Sequence, residues 1–183
     1  MDQDIYDIDN YPMPSIETME TIINQMENSV CQIRVNNEIK GTGFLCNINL
    51  DDWETLKVLI TTSYVLNEFD LFGKINISFN NKKFNKEILI DNNRKKFINH
   101  DYITNVTFIE IKKSDGLKGD SFLNIDEVID SPEKTLTKMP IYSLHYPKGD
   151  VIKKSEGLII RLLNNNYYIN HLCKCDRLSS GGL

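Results

Sequence analysis

Hydrophobic and polar residues alternate in short stretches along most of this chain, which is the spacing of β-strands. One early segment follows a helical spacing instead. Its apolar residues fall on one face after Ser15, a residue type that favours helix N-termini: Ile16, Met19, Ile22, Ile23 and Met26. We predict a short amphipathic helix over residues 15–29 that packs on its own domain, with a partner surface as the alternative.

The later stretches are rich in β-branched and aromatic residues and are separated by turns that contain Asn and Gly. The predicted strands are Val30–Val35, Gly41–Ile48, Lys57–Thr61, Lys74–Phe79, Phe84–Ile90, Val106–Ile111, Ile141–His145, Leu158–Leu163 and Tyr167–His171. Many short strands with little helix predict an all-β barrel or sandwich. We expect a first β-barrel over residues 30–112, a linker over 113–140 and a second, partial barrel over 141–183.

Charge is unevenly distributed, because residues 1–29 contain seven acidic residues and no lysine or arginine. Removing those seven from 26 leaves 19 acidic residues against 21 basic ones, and this near neutrality predicts no nucleic-acid partner. Residues 1–14 are predicted to form an acidic flexible leader. One basic run is interpreted as a solvated hairpin rather than a phosphate site: Lys82, Lys83, Lys86, Arg94, Lys95 and Lys96.

The cysteines and the apolar runs of the sequence predict the cellular location of the protein and whether it holds a cofactor. The acidic N-terminus lacks the apolar segment of a secretory signal, and no apolar run of about 18 residues occurs. We therefore expect an intracellular, cytoplasmic protein without membrane contact, in which four cysteines stay reduced: Cys31, Cys46, Cys173 and Cys175. Cys173 and Cys175 are too closely spaced for an ordinary zinc half-site, so we expect no metal and no cofactor.

Two segments carry a resemblance to a known family. The strand with Gly41-Thr42-Gly43-Phe44 is followed by an apolar strand that ends in Thr62-Ser63-Tyr64-Val65-Leu66. Both are similar to segments of the chymotrypsin/trypsin-like serine peptidases, and further similar segments follow in the same order: Asn105–Ile111, Ile141–Gly149, Ile169–Cys173 and Leu178–Gly182. The resemblance implies a trypsin-like double β-barrel, with the second barrel incomplete.

The resemblance also assigns positions in a catalytic site. Ser180 stands at the nucleophile, Tyr64 at the histidine and Asn105 at the aspartate, while the backbone of Leu178 and Ser180 stands at the oxyanion hole. A phenol has a pKa of about 10, so Tyr64 cannot act as the base at neutral pH. An Asp to Asn change at the third position costs trypsin about 10⁴-fold in turnover, and Leu178 replaces a glycine that helps to aim the oxyanion donors.

These departures predict a catalytically inactive pseudopeptidase that binds a peptide or protein ligand in the cleft between the barrels. Self-association through unpaired strands is a further expectation. The first alternative is an active serine endopeptidase in which Ser180 uses a recruited base, for which His100 beside Asp101 is the candidate. His100 is otherwise a surface histidine, and His145 and His171 are interpreted as structural. The second alternative is a decayed fragment without a function.

Overall fold

A computed structural model describes residues 14–51, 54–82, 84–101, 104–125, 136–163 and 168–183. The predicted leader, apart from Pro14, lies outside these residues, as does the predicted turn at 164–166. The described residues form one α-helix, two mainly antiparallel sheets and short connections that include 3₁₀ turns. None of the described helices is long and apolar enough to cross a lipid bilayer.

The predicted helix is present as α1, Ile16–Asn28. Ser15 caps it, because the Ser15 Oγ accepts a hydrogen bond from the Thr18 backbone N–H at 3.2 Å. Ile22 is buried on the inner face, whereas Ile16 and Ile23 remain exposed. The helix therefore covers its own domain with the middle of its apolar face, as predicted.

The first sheet follows the order β5-β4-β1-β2-β3-β7-β6, and β8 pairs with β2 in parallel. Its strands are β1 Val30–Val35, β2 Glu38–Asp51, β3 Glu54–Thr61, β4 Gly73–Phe79, β5 Phe84–Ile90, β6 Lys96–Asn99, β7 Val106–Glu110 and β8 Leu123–Asn124. Asn36 and Asn37 join β1 to β2 with positive φ angles, a conformation that asparagine tolerates. Residues of β5 and β7 share one buried core, so the sheet curls around its own interior.

The second sheet has the order β11-β10-β9 in the described residues, with β9 Pro140–His145, β10 Lys153–Leu163 and β11 Tyr168–His171. A shared core joins it to α1 and the first sheet: Ile22, Val30, Leu144, Tyr146 and Ile152. Leu183 exchanges two backbone hydrogen bonds with Leu144, at 2.8 and 3.1 Å. The predicted all-β architecture, with an incomplete second barrel and an N-terminal helix, is confirmed.

Three features differ from the sequence-based expectations. Strand β6 was not predicted, because its short sequence follows the basic run. Strand β10 begins at Lys153 rather than at Leu158, since its first half is polar and lies at the surface. Arg94 does not belong to a solvated hairpin: it is only 6% exposed and forms an ion pair with the buried Asp115 at 2.7 Å.

The four cysteines are free thiols. Burial raises the pKa of Cys31, Cys46 and Cys173, the last to about 11, whereas Cys175 is exposed. Within the described ranges, no group of three or more His, Cys, Asp or Glu side chains is arranged to hold a metal ion.

Candidate functional site

The turn that carries Ser180 is anchored to strand β2. The Thr42 backbone N–H donates to the Ser180 carbonyl at 3.0 Å, and the Thr42 hydroxyl donates to the Leu178 carbonyl at 3.1 Å. The same hydroxyl accepts a hydrogen bond from the Tyr146 backbone N–H at 3.0 Å, so Thr42 links this turn to the second sheet. Because Thr42 is fully buried, these bonds are shielded from water.

Gly181 fits this anchor only because it has no side chain. Its φ is +81°, and a Cβ at this position would lie 2.1 Å from the Thr42 carbonyl oxygen and 2.2 Å from the Thr61 Oγ1. Thr61 in turn donates its hydroxyl to the Thr42 carbonyl at 2.7 Å. The turn is therefore packed directly on the backbone of β2.

The Ser180 hydroxyl has no hydrogen bond to a base within the residues that the structure describes. Ser180 is exposed, and its Oγ lies 3.0 Å from the Thr62 Oγ1, which is its only hydrogen-bond partner among the described residues. A hydroxyl such as that of Thr62 cannot take a proton from another hydroxyl near neutral pH. The structure thus brings Ser180 to the turn that contains the histidine position, and none of the described side chains that hydrogen-bond to it is a base.

Tyr64 projects from that turn into solvent. Its neighbours Val65 and Leu66 are buried, whereas the Tyr64 side chain is 78% exposed. Its hydroxyl has no hydrogen-bond partner in the part of the chain that the structure describes. Tyr64 therefore presents a large ring to solvent, with no hydrogen bond from its hydroxyl to Ser180.

Asn105 lies at the same turn and supports its backbone. The Asn105 Oδ1 accepts hydrogen bonds from the Ser63 backbone N–H at 2.8 Å and from the Ser63 hydroxyl at 3.0 Å. The backbone bond identifies this atom as the amide oxygen, since only an acceptor fits there. Asn105 thus holds the residue that precedes Tyr64, although it carries no charge that could stabilise a protonated base.

His100 is engaged by Ser63 and Glu68. Its Nδ1 lies 2.8 Å from the Ser63 Oγ, and its Nε2 lies 2.6 Å from the Glu68 Oε1. The Nδ1 of His100 therefore faces the Ser63 hydroxyl, and its Nε2 faces the Glu68 carboxylate. The pKa of Glu68 is lowered by its own backbone N–H and further by His100, which agrees with an ionised carboxylate.

The contacts of His100 bear on the alternative in which His100 serves as the base for Ser180. Both ring nitrogens of His100 are occupied, and neither bonds to Ser180. Sequence reasoning identified His100 as the one candidate base but did not single out Thr62, Ser63 or Glu68. Serine and threonine at such positions carry no pattern of their own, and the separation of Glu68 from His100 along the chain concealed their pairing.

The backbone donors of the predicted oxyanion hole are free. The N–H groups of Leu178 and Ser180 have no acceptor among the described residues. Leu178 has a φ of +64°, the conformation for which a glycine was expected. A leucine there costs on the order of 1 kcal/mol, so the turn keeps its shape against a local strain.

Comparisons with known proteins show that this chain is similar to them in fold only. No protein-family model matches the sequence, and no curated protein matches it. Among solved structures, a serine endoprotease from Yersinia pestis aligns with a TM-score of 0.61 at 14% identity, over 94% of this chain and 53% of that one. The HtrA-type protease AlgW, solved with a decapeptide, aligns with a TM-score of 0.57 at 13% identity, over 87% and 53%.

A third structure is an inactive serine-to-alanine mutant of a protein from M. tuberculosis H37Rv. It aligns with a TM-score of 0.57 at 16% identity, over 94% of this chain and 77% of that one. The chain thus spans about half the length of the first two proteins. These likenesses confirm the trypsin-like fold that the sequence motifs predicted.

Proposed function

We propose that this chain, which has the fold of trypsin-like serine proteases, is a catalytically inactive homologue that binds an extended peptide or protein segment. The observation that carries the proposal is the environment of Ser180, whose hydroxyl has the Thr62 hydroxyl as its single hydrogen-bond partner in the described part of the chain. Attack by a serine on a carbonyl needs a neighbouring base that accepts its proton. Tyr64 is exposed and His100 is engaged elsewhere, so neither supplies that base.

Exposed aromatic rings support the binding role. Tyr64 and Phe69 lie on the segment that follows β3 and are 78% and 90% exposed. Exposed aromatic side chains of this kind are typical of contact surfaces, because a large apolar area is gained at little cost in rotamer freedom. Thr62, the partner of Ser180, lies two residues before Tyr64, so Tyr64 belongs to the same turn as the residue that contacts the serine.

Fluorophosphonate labelling tests the loss of catalysis. The purified chain is treated with the probe and analysed by intact mass, beside a Ser180→Ala variant and an active serine protease that verifies the reagent. We expect no adduct on Ser180, because nothing deprotonates it. Stoichiometric labelling that disappears in Ser180→Ala would overturn the proposal and favour an active endopeptidase with a recruited base.

Peptide display tests the binding role. A library of random dodecapeptides is selected on the immobilised full chain and, in parallel, on a Tyr64→Ala variant. We expect enriched sequences on the unmodified chain and weaker enrichment on the variant. If a cooperatively unfolding chain enriches no peptide, the binding role is contradicted. If the chain enriches no peptide and unfolds without cooperativity, the result favours the decayed-fragment alternative.

We also propose that the chain self-associates weakly and acts inside the cell. Strand β11 ends the second sheet in the described residues, and Ile169 and the nearby Leu163 are partly exposed there. The four free thiols favour a reducing compartment. Sedimentation velocity over a range of protein concentrations should show a shift from monomer to dimer, and a constant sedimentation coefficient argues against this association.

A further inference from the structure

A groove of about 660 Å³ lies on the second sheet, beside the segment that leads to Ser180. Its walls come from three places: His145 at the end of β9, Lys153–Glu156 at the start of β10, and Lys174–Asp176 after β11. None of these residues belongs to the predicted catalytic positions, so the groove is a separate feature of the surface.

Contacts on both sides of Ser180 join the groove to the serine turn. The Asp176 backbone N–H donates to the Ser179 Oγ at 3.0 Å, and the Ser179 N–H donates to the Asp176 carbonyl at 3.1 Å. Gly182 lies against the opposite wall, where a Cβ on it would be 2.9 Å from the His145 Cβ. When one residue of a peptide ligand lies over Ser180, the side chain of an adjacent ligand residue is therefore within reach of the groove.

The charges of the groove are not balanced. Its two carboxylates already have partners, in the ion pairs Lys154–Glu156 and Lys148–Asp176. Lys153 and Lys174 are exposed and have neither an ion pair nor a side-chain hydrogen bond within the described ranges. Two ammonium groups that form no ion pair among the described residues therefore border a concave surface, and such a surface attracts an anion. The charge of Lys153 also acts on Asp176, whose closer partner is Lys148.

His145 adds a polar wall without adding charge. It is only 4% exposed, and its Nδ1 lies 3.4 Å from the Ser143 Oγ. Burial, and then the positive charge of Lys153, lower the pKa of His145, so its imidazole is neutral near neutral pH. The wall can hydrogen-bond a ligand while the two lysines supply the attraction.

We propose that this groove binds the carboxylate of an Asp or Glu side chain of a peptide ligand, held by Lys153 and Lys174. The inference rests on the proposed peptide-binding function and specifies the ligand: an extended segment with an acidic residue close to the one that lies on Ser180. Partly exposed ion pairs are weak individually, so we expect the two lysines to favour the acid over the amide by about three- to tenfold.

The display selection described above tests this with a matched pair of variants. The library is selected on the full chain, on Lys153→Gln/Lys174→Gln, and on a control, Lys113→Gln/Lys118→Gln, which removes the same charge from the connection between β7 and β8. We expect Asp and Glu to be enriched over Asn and Gln at one aligned position. The enrichment should disappear in the groove variant only, and the affinity of a selected peptide should fall with added salt.

The outcomes separate the two proposals. Enriched peptides without an acidic preference, or with a preference that the groove variant retains, overturn the role of the groove but leave peptide binding in place. No enriched peptide on any of the folded chains overturns the binding function and this inference with it. A preference lost equally in both variants also contradicts the groove, because it reflects overall charge.

A resynthesised peptide identifies the source of the carboxylate. One selected sequence is made with an amidated C-terminus, and a second version carries Gln or Asn in place of its acidic residue. We expect the first to keep its affinity for the full chain and the second to lose about three- to tenfold. Loss on amidation alone would overturn side-chain recognition, since the terminal carboxylate would then be the group that is bound.

Discussion

The turn around Ser180 has two sides that differ in almost every respect. On its buried side, Thr42, Thr61 and Gly181 form a closed set of hydrogen bonds and close packing. On its exposed side, the Ser180 hydroxyl bonds to the Thr62 hydroxyl, and the nearby Tyr64 ring is 78% exposed. The hydrogen bonds and packing that hold the turn in place therefore involve none of the residues at the predicted histidine and aspartate positions.

The largest expected effect comes from Gly181→Ala. The added Cβ must displace backbone atoms of β2, so we expect a loss of about 3 kcal/mol or more in the free energy of unfolding, measured by urea denaturation. Gly73→Ala is the matched control, because Gly73 also has a positive φ but an added Cβ would meet nothing within 4 Å. Equal losses in the two variants would show that backbone conformation, and not packing on β2, explains the effect.

Thr42→Val should have the next largest effect. The change keeps the shape of the side chain but removes the hydroxyl that serves both the Leu178 carbonyl and the Tyr146 N–H. Leaving buried groups without partners costs about 1–3 kcal/mol, again measured by urea denaturation. Thr62→Val removes the partner of Ser180 at the surface and should cost no more than about 0.5 kcal/mol. A reversed order would contradict the division between the two sides.

His145→Gln should change how stability depends on pH. The folded state lowers the pKa of His145 below its unfolded value of about 6.5, so the unfolded state binds more protons as the pH falls through this window. The contribution of His145 is thus complete above about pH 6.5 and is lost on acidification. We expect the variant to lose less stability on acidification than the unmodified chain, as measured by thermal melting across pH. An unchanged pH dependence would contradict this role of His145.

The smallest expected effect on stability belongs to Tyr64→Ala. Because the ring is 78% exposed and its hydroxyl is unbonded in the described structure, the free energy of unfolding should change by less than about 0.5 kcal/mol. A loss above about 1 kcal/mol would mean that the ring supports the turn, and the weaker peptide enrichment expected for this variant would then have to be ascribed to folding.

Much of the fold and part of the site could be predicted from the sequence. The strand with Gly41–Phe44 and the strand before Tyr64 have strong apolar spacing, which local pattern detects. The pairing of His100 with Glu68 and the burial of Arg94 against Asp115 could not be predicted, because polar contacts between distant segments depend on strand register. The groove was missed for the same reason: its lysines come from two separate elements.

The hydrogen bonds of Asn105 limit what a histidine at position 64 could do. Its Oδ1 already accepts two hydrogen bonds from Ser63, and its remaining polar group, Nδ2, can only donate. A histidine arising at position 64 needs an acceptor that keeps its proton on Nδ1, so Tyr64→His alone gains little, and Asn105→Asp alone orients no base. Neither substitution alone is therefore expected to give hydrolysis, and under the proposed inactive function both changes would be needed together.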